Sequence, residues 1–482
     1  VTITVGPPAI VLGESATLSW SSTDAETASI DNGIGSVGLN GSMSIAPAVT
    51  TVYTITVTGP AGTTTGTATV TVYQVPEVTI SADPPVIISG ESTTLSWTSN
   101  YADMVTIDNS IGVVDTDGSV VVSPTIPTTY TITVTNPGGE TTASVTVGVV
   151  PREAAYIPTY TVEDGEYSYS IAVIDLELDP PAVTYTLDNV GNKPFGIVPH
   201  PSNEYIYVSC YADQTVEKID VFTGEVLETI NVTDPPRDLA ITSDGALLYV
   251  SRYNIEWNGE VGVIDTATDT MIDSIGLVNH PKSLAMSADG TRLYASDVFN
   301  MDDAIQDYHI TSIIAAEHRD DVTINVGSLC PYDLEVSPDG SRVYMANLED
   351  GLSYMNTSDY SVVPVMEEYR KSYTRVRAST DGTLVYVATY ETYTSQASIT
   401  VINPDDTSSI TTIDISQPGE FVEIKGMAVH PTRPYLYVVG NVSDDLGLPD
   451  IYVIDTTTNT VVNTVTLGNH DDLYGDFLII RP

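Results

Sequence analysis

The feature that most limits how this chain can fold is a short unit, two apolar runs joined by a tight turn, that returns through its last two thirds. Leu239–Ser251 reads LAITSDGALLYVS, Leu334–Ala346 reads LEVSPDGSRVYMA and Val376–Ala388 reads VRASTDGTLVYVA. Gly276–Asp297 (GLVNHPKSLAMSADGTRLYASD) holds another copy, and Ile197–Ser209 and Met427–Val439 carry His-Pro turns in the same place. Each copy reads as strand, turn and strand, and is too small to bury its own apolar faces. It must stack on its neighbours, so a repeat architecture is required.

Each repeat parses as four strands. In the one beginning at Pro236 they are Leu239–Thr242, Leu247–Ser251, Val261–Asp265 and Met271–Ile275. Others begin near Pro194, Pro281, Pro331, Thr374 and Lys425, which makes six complete units. The ends supply a seventh. Tyr156–Tyr160, Ser170–Asp175 and Ala182–Leu187 lack a first strand, and Phe477–Ile480 is a lone strand after the last unit. Placing that strand innermost closes a seven-bladed β-propeller through a split blade, which leaves no blade face unpaired.

The first 150 residues follow another rule: residues 1–73 recur in 77–150 at a constant offset of 77. Leu18-Ser19-Trp20 returns as Leu95-Ser96-Trp97, Ile30-Asp31-Asn32 as Ile107-Asp108-Asn109, and Tyr53–Val57 as Tyr130–Val134. Apolar and Thr/Ser positions alternate with period two, as half-buried antiparallel strands require. About seven short strands per copy suit a two-sheet sandwich with Trp20 and Trp97 as core anchors. The expected class is therefore all-β: two sandwiches, residues 1–74 and 75–150, followed by the propeller, residues 151–482. Pro-bearing segments at Tyr73–Glu77 and Gly148–Ala155 read as short semi-rigid linkers, making the tandem a spacer. Asp115-Thr116-Asp117-Gly118 looks like the start of a calcium loop, but its counterpart Gly38-Leu39-Asn40-Gly41 has no carboxylate, which favours a hairpin turn.

The duplicated segment resembles the bacterial immunoglobulin-like domains of surface and secreted proteins. Val263–Thr270 (VIDTATDT), Ile454–Val461 (IDTTTNTV), Val278–Pro281 (VNHP), the Ser-Pro-Asp-Gly turn at 337–340 and Leu248–Ser251 (LYVS) resemble YVTN-type β-propeller repeats. That resemblance covers nearly all of residues 151–482 and weakens after the second strands of the third and fourth units. It implies a cell-surface or surface-layer protein of an archaeon or bacterium. A related seven-bladed fold serves lactonases and some dehydrogenases, so fold alone does not settle function.

Charge narrows the partners. With 64 acidic and 16 basic residues the chain carries a formal −48, which repels nucleic acid and anionic lipid and suits surroundings rich in salt or divalent cations. No apolar run reaches membrane-spanning length, so no membrane insertion is expected, and no signal peptide is visible. The start at Val1, without an initiator Met, suggests a processed product or a fragment. Two cysteines, Cys210 and Cys330, make no disulfide framework and no metal motif. Asn40, Asn231, Asn356 and Asn441 open Asn-x-Ser/Thr sequons and are candidate glycosylation sites.

Two places are candidate binding surfaces. The loops between second and third strands and the crossovers are long and varied, so they mark the binding face. They would present Tyr253, Trp257, Phe299, Tyr308, Tyr390 and Tyr393, with Tyr167, Tyr169 and Tyr211, among carboxylates, a mixture suited to glycans or protein partners. Where the crossovers enter the first strands, aligned positions hold Phe195, Arg237, Lys282, Tyr332, Thr374 and Lys425, with Arg375 one residue on. Arg237, Lys282, Tyr332, Arg375 and Lys425 form a candidate ligand-binding channel mouth for a carboxylate or phosphate group. The competing reading pairs these cations with Asp238, Asp333 and Glu335. No catalytic residue is assigned, because no Gly-x-Ser-x-Gly elbow, phosphate loop or metal-spaced histidine cluster appears. His200, His280, His430 and His470 sit at repeat positions and read as structural. No cofactor is expected apart from a candidate Ca2+ held by Asp444, Asp445 and Asp450. The leading expectation is a non-enzymatic extracellular surface protein that binds other surface proteins or itself. A glycan-binding module on the long-loop face and a lactonase- or dehydrogenase-like enzyme at the channel mouth are the alternatives.

Overall fold

Alternating burial, apolar side chains in and Thr or Ser out, drives nearly every segment into a strand; among the described residues the single helical turn is Ala315–Glu317. The computed structural model describes the chain except residues 164–165, 254–258, 299–307, 328, 349, 367–370, 392–395, 417–421, 443–449, 468–471, 474–477 and 481–482. The protein is all-β, built from many small sheets. Its contacts divide it into Val1–Val150 and Pro151–Pro482.

In the first unit each copy has eight strands, one more than expected. Copy one pairs Thr2–Gly6, Ala16–Ser21 and Gly41–Ile45 in one sheet. The other sheet takes Ala9–Val11, Gly62–Tyr73, Thr51–Gly59, Thr27–Ile30 and Gly35–Val37. Leu18 from the first and Ile55 and Val70 from the second are fully buried in one core cluster. Trp20 donates its indole N–H to Gly38 O at 2.8 Å, and Trp97 to Asp115 O at 3.0 Å. A Cβ on Gly41 or Gly118 would fall 2.8 or 3.0 Å from those indole rings, which is why glycine ends both turns. Asp117 accepts the Ser99 amide at 2.7 Å, as Asn40 accepts that of Ser22 at 3.0 Å. The carboxylate is thus a turn anchor that Asn replaces in the first copy.

The second linker is shorter than the sequence suggests. Gly148–Val150 pairs in parallel with Val86–Ile88, and Ala154 already begins the strand Ala154–Glu163. Apolar Val149 and Val150 are buried there, so their burial overrides the loop-like Gly and Pro flanks.

In the second unit the six repeats are six four-stranded antiparallel sheets, each in sequence order. In the repeat opened at Pro236 the strands are Pro236–Ile241, Leu247–Tyr253, Gly259–Asp265 and Thr270–Gly276; the first starts three residues early and ends one short of the expectation, and the others are two residues longer. A further sheet joins Ala154–Glu163, Glu166–Asp175 and Ala182–Leu187 to the end of the chain: Ala154–Tyr156 pairs with Leu478–Ile480, and Thr159–Tyr160 with Asp472–Leu473. The first strands follow one another as neighbours: Pro194–Pro199, Pro236–Ile241, His280–Met286, Pro331–Val336, Lys371–Ala378 and Val422–Val429. Leu478–Ile480 neighbours both the last and the first of these, so the succession is cyclic.

Two devices hold adjacent sheets together. The tyrosine of each second strand (Tyr207, Tyr249, Tyr294, Tyr344, Tyr386, Tyr437) is buried, and clusters such as that joining Tyr249 to Leu284 and Leu293 span neighbouring sheets. The second device is polar. Asp238 accepts the Leu284 amide at 2.6 Å, Ser283 that of Leu334 at 3.2 Å and Asp333 that of Val376 at 2.9 Å, so three successive first strands each catch a backbone donor of the next. Arg375 and Arg377 continue the chain by donating to Lys425 O at 2.8 Å and Met427 O at 3.0 Å. Backbone groups shielded from water must be satisfied, and these side chains do it.

The Asp-Gly turns explain the repeat's most visible motif. Asp339 accepts from Ser337 Oγ (2.6 Å), the Ser341 amide (3.0 Å) and Ser341 Oγ (2.8 Å), while Gly340 takes φ of +70°. Asp289 and Asp381 repeat the pattern, and all three carboxyls are held down at about 2 by these donors, the Ser hydroxyl first.

Candidate functional site

The candidate site begins with a defect in the ladder. In all six first strands the register slips at the same place, between 194 and 197, 236 and 239, 281 and 284, 331 and 333, 373 and 375, and 424 and 426. Phe195, Arg237, Lys282, Tyr332, Thr374 and Lys425 therefore lie in bulges, which re-aim side chains out of the pleat. Where the bulge holds two residues, a buried serine of the second strand takes the released amide. Ser209 accepts from Gly196 at 2.8 Å, Ser251 from Asp238 at 2.9 Å and Ser296 from Ser283 at 2.9 Å. Thus the final serine of the LYVS-type run has a physical reason. Sequence reasoning missed it, although its absence at Ala346 and Ala388, where the bulge is one residue, was a visible signal.

The bulges bring together what the repeat alignment placed side by side. Lys282 Nζ lies 2.8 Å from the centroid of the Tyr332 ring, and Arg375 Cζ lies 5.9 Å from the same ring. Arg237 Cζ lies 4.9 Å from the centroid of Phe195. Lys425 pairs with exposed Glu423 at 2.8 Å and stands apart from the others in charge balance.

The carboxylates expected to neutralise this group mostly do not. Asp238 is committed to the Leu239 and Leu284 amides. Asp333 is bound to Ser283, the Val376 amide and, at 2.7 Å, Arg377, a residue the sequence reading did not single out. Among the described residues neither Arg237 nor Lys282 forms an ion pair, and Arg237 Nε is buried without a hydrogen-bond partner. Burial, with Arg237 and Arg375 alongside, pushes the Lys282 ammonium down to about 6 despite the opposing pull of Cys330 and Asp333.

Inward of this mouth lies a cavity of about 610 Å3 walled by the first strands. Its polar groups are Asp238, Ser283, Asp333, Glu335 and Arg377, set among Leu, Val and Ala. Glu335 remains partly open to water, yet protein surrounds it, and that burial lifts its carboxyl to about 7, with Asp333 adding to the rise and Arg377 opposing it. Glu335 and Arg377 occupy the same strand position in adjacent sheets, where the other first strands carry Val198, Ala240, Ala285 and Ala428.

The remaining candidates are placed as follows. Trp257, Phe299, Tyr393, Asp444, Asp445 and His470 lie outside the described residues. Tyr253 ends the strand Leu247–Tyr253, and Asp450, half-buried, opens the strand Asp450–Asp455. Tyr390 is half-buried, and half-buried Tyr308 packs on the core around Ile310 and Leu334. Asn40 and Asn231 are exposed, Asn356 is half-buried with its amide donating to Ser361 at 2.8 Å, and Asn441 lies in the strand Tyr435–Val442. At the hairpin end of Ala154–Glu163 and Glu166–Asp175, exposed Tyr167 stacks with Tyr169 (6.2 Å, 10°) and approaches Tyr160 at 5.6 Å. Cys210 and Cys330 are free thiols, the first buried. Among the described residues no group of three His, Cys, Asp or Glu is arranged to hold a metal, and no helix is long and apolar enough to cross a membrane.

No family model matches the chain, and no curated protein matches it. Among solved structures, hydrazine synthase of Kuenenia stuttgartiensis is similar at a TM-score of 0.48 and 20% identity, over 56% of this chain and 79% of that one. A likeness of that size carries no argument about activity.

Proposed function

We propose that residues 1–74 and 75–150 are immunoglobulin-like sandwiches and that residues 151–482 are a seven-bladed, YVTN-type β-propeller closed by a split blade. In this reading the chain is an extracellular surface protein, not an enzyme, whose propeller serves adhesion or assembly into a surface coat. The observation that carries it is the cyclic succession of first strands, joined at its ends by Leu478–Ile480. A ring of this kind satisfies its own strand edges and leaves faces and loops for partners. The charge of −48 supports the location, because an acidic surface stays soluble and compact where salt or divalent cations screen it. An antibody against the chain should label intact source cells as strongly as permeabilised ones; labelling that requires permeabilisation rejects the reading.

A glycan-binding role is favoured by one observation, exposed Tyr167 stacked on half-buried Tyr169 and backed by buried Tyr160, which offers a flat apolar surface at little entropic cost. Binding on a polysaccharide array that is weakened at least tenfold by Tyr167→Ala supports it, and binding unchanged by that substitution removes it.

A further inference from the structure

We propose that Arg237, Lys282 and Arg375, with the rings of Phe195 and Tyr332, form a binding site for a small oxyanion carrying at least two negative charges, such as a polycarboxylate or a phosphate. The inference rests on geometry and goes beyond the surface role proposed above, which could fail without affecting it.

Three observations carry it. First, a chain with 64 acidic and 16 basic residues brings three basic side chains together, Arg237 and Lys282 on adjacent first strands and Arg375 one strand beyond that of Tyr332. Like charges gathered at close range are destabilising, and a ligand anion relieves them. Second, the nearest carboxylates are used elsewhere: Asp238 and Asp333 accept the backbone amides of Leu284 and Val376, which leaves Arg237 and Lys282 without an ion pair among the described residues. Third, the bulges recur at one position in the first strands of all six four-stranded sheets, so Arg237 and Lys282 are turned out of the ladder by backbone geometry, while Arg375 follows the bulged Thr374 and pairs with Ala388. The aromatic rings beside the cations hold them by cation–π contact without cancelling their charge, so the donors remain directed to a guest.

The site has a proton linkage that a passive cluster lacks. Lys282 faces Arg237 from the preceding first strand, Tyr332, Cys330 and Asp333 from the next sheet and Arg375 from the sheet beyond, and burial together with the two guanidinium groups lowers it to about 6. An oxyanion favours the ammonium, so binding above that pH draws in a proton and strengthens as pH falls toward 6.

Titration calorimetry of the full chain with inorganic phosphate and with citrate, in two buffers of different ionisation enthalpy, tests this. The expected result is binding of one or both at a single site with proton uptake at pH 8, the preferred probe telling phosphate from carboxylate ligands. Lys282→Met should weaken that binding at least tenfold while leaving the protein as stable or more stable, since it replaces a buried amine crowded by two guanidinium groups with an apolar chain of similar length. Arg237→Gln should weaken it similarly, and Arg319→Gln, the same charge change at an exposed pair, should leave it intact. The proposal is overturned if neither anion binds, if binding takes up no proton, or if Lys282→Met destabilises the fold while affinity is unchanged.

Discussion

His430 Nε2 lies 3.2 Å from a carboxylate oxygen of Glu153, across 277 positions of sequence, and both side chains are buried. His430 Nδ1 accepts the amides of Thr432 and Arg433, at 3.2 and 3.0 Å, so the proton sits on Nε2 and points at Glu153. Arg433 closes on the same carboxylate and donates to Leu176 O at 3.1 Å. The segment before the strand Ala154–Glu163 is thereby fastened to the first turn of the last four-stranded sheet, where the ends of the Pro151–Pro482 unit meet.

Glu153→Ala takes the acceptor from buried His430 and from Arg433. Because Arg433 is one-third exposed, the loss should fall below that of a fully buried pair, about 2–3 kcal/mol in denaturant unfolding. A change under about 0.5 kcal/mol would show that the fastening is not a stability determinant.

Ser251→Ala strands the half-buried Asp238 amide at the bulge. The expected cost is about 1 kcal/mol, the low end of the penalty for an unsatisfied donor, read as a lower denaturation midpoint at unchanged slope. Ser251→Cys, a poorer acceptor of similar size, should fall between.

Stability should pass through a maximum in mildly acidic solution. Burial raises Asp297 and Glu335 to about 7, above their unfolded values, so their contribution is full below about pH 4 and is lost as pH rises through 7. Asp289, Asp339 and Asp381 are depressed to about 2 by their turn donors, so their contribution is present above about pH 4 and lost as pH falls toward 2. Melting temperature against pH should fall on both sides, and Asp297→Asn should flatten the neutral limb only. A profile rising from pH 5 to 8 contradicts this assignment.

Removing residues 477–482 takes away Leu478–Ile480 and leaves Ala154–Tyr156 an open strand edge. Hydrogen exchange at residues 154–156 should speed by orders of magnitude, while exchange at the Trp20 and Trp97 strands stays as it was. Equal protection with and without the segment would mean the pairing does not hold these strands.

What was legible follows from which signals a sequence displays. Period-two alternation and the returning Asp-Gly turn exposed the strands and their repeat, and Phe477–Ile480 stood out because it had no partner in its own unit. Alignment of the repeats put Lys282 and Tyr332 at equivalent places in adjacent units, which is why their proximity could be foreseen. Their expected partners could not be, because whether Asp238 meets a cation or the Leu284 amide depends on a one-residue slip in register that leaves the apolar period unchanged. Gly148–Val150 looked like linker because its parallel partner, Val86–Ile88, lies some sixty residues earlier. Glu153 and His430 are joined only by closure of the succession.

Electron microscopy of the purified full chain, from low to molar salt and with divalent cations, tests the central claim most directly. Seven-lobed rings are expected, associating into ordered assemblies or coating added envelope fragments once the charge of −48 is screened. Particles without a closed ring, or closed rings that remain single and leave the envelope bare under every condition, would contradict it.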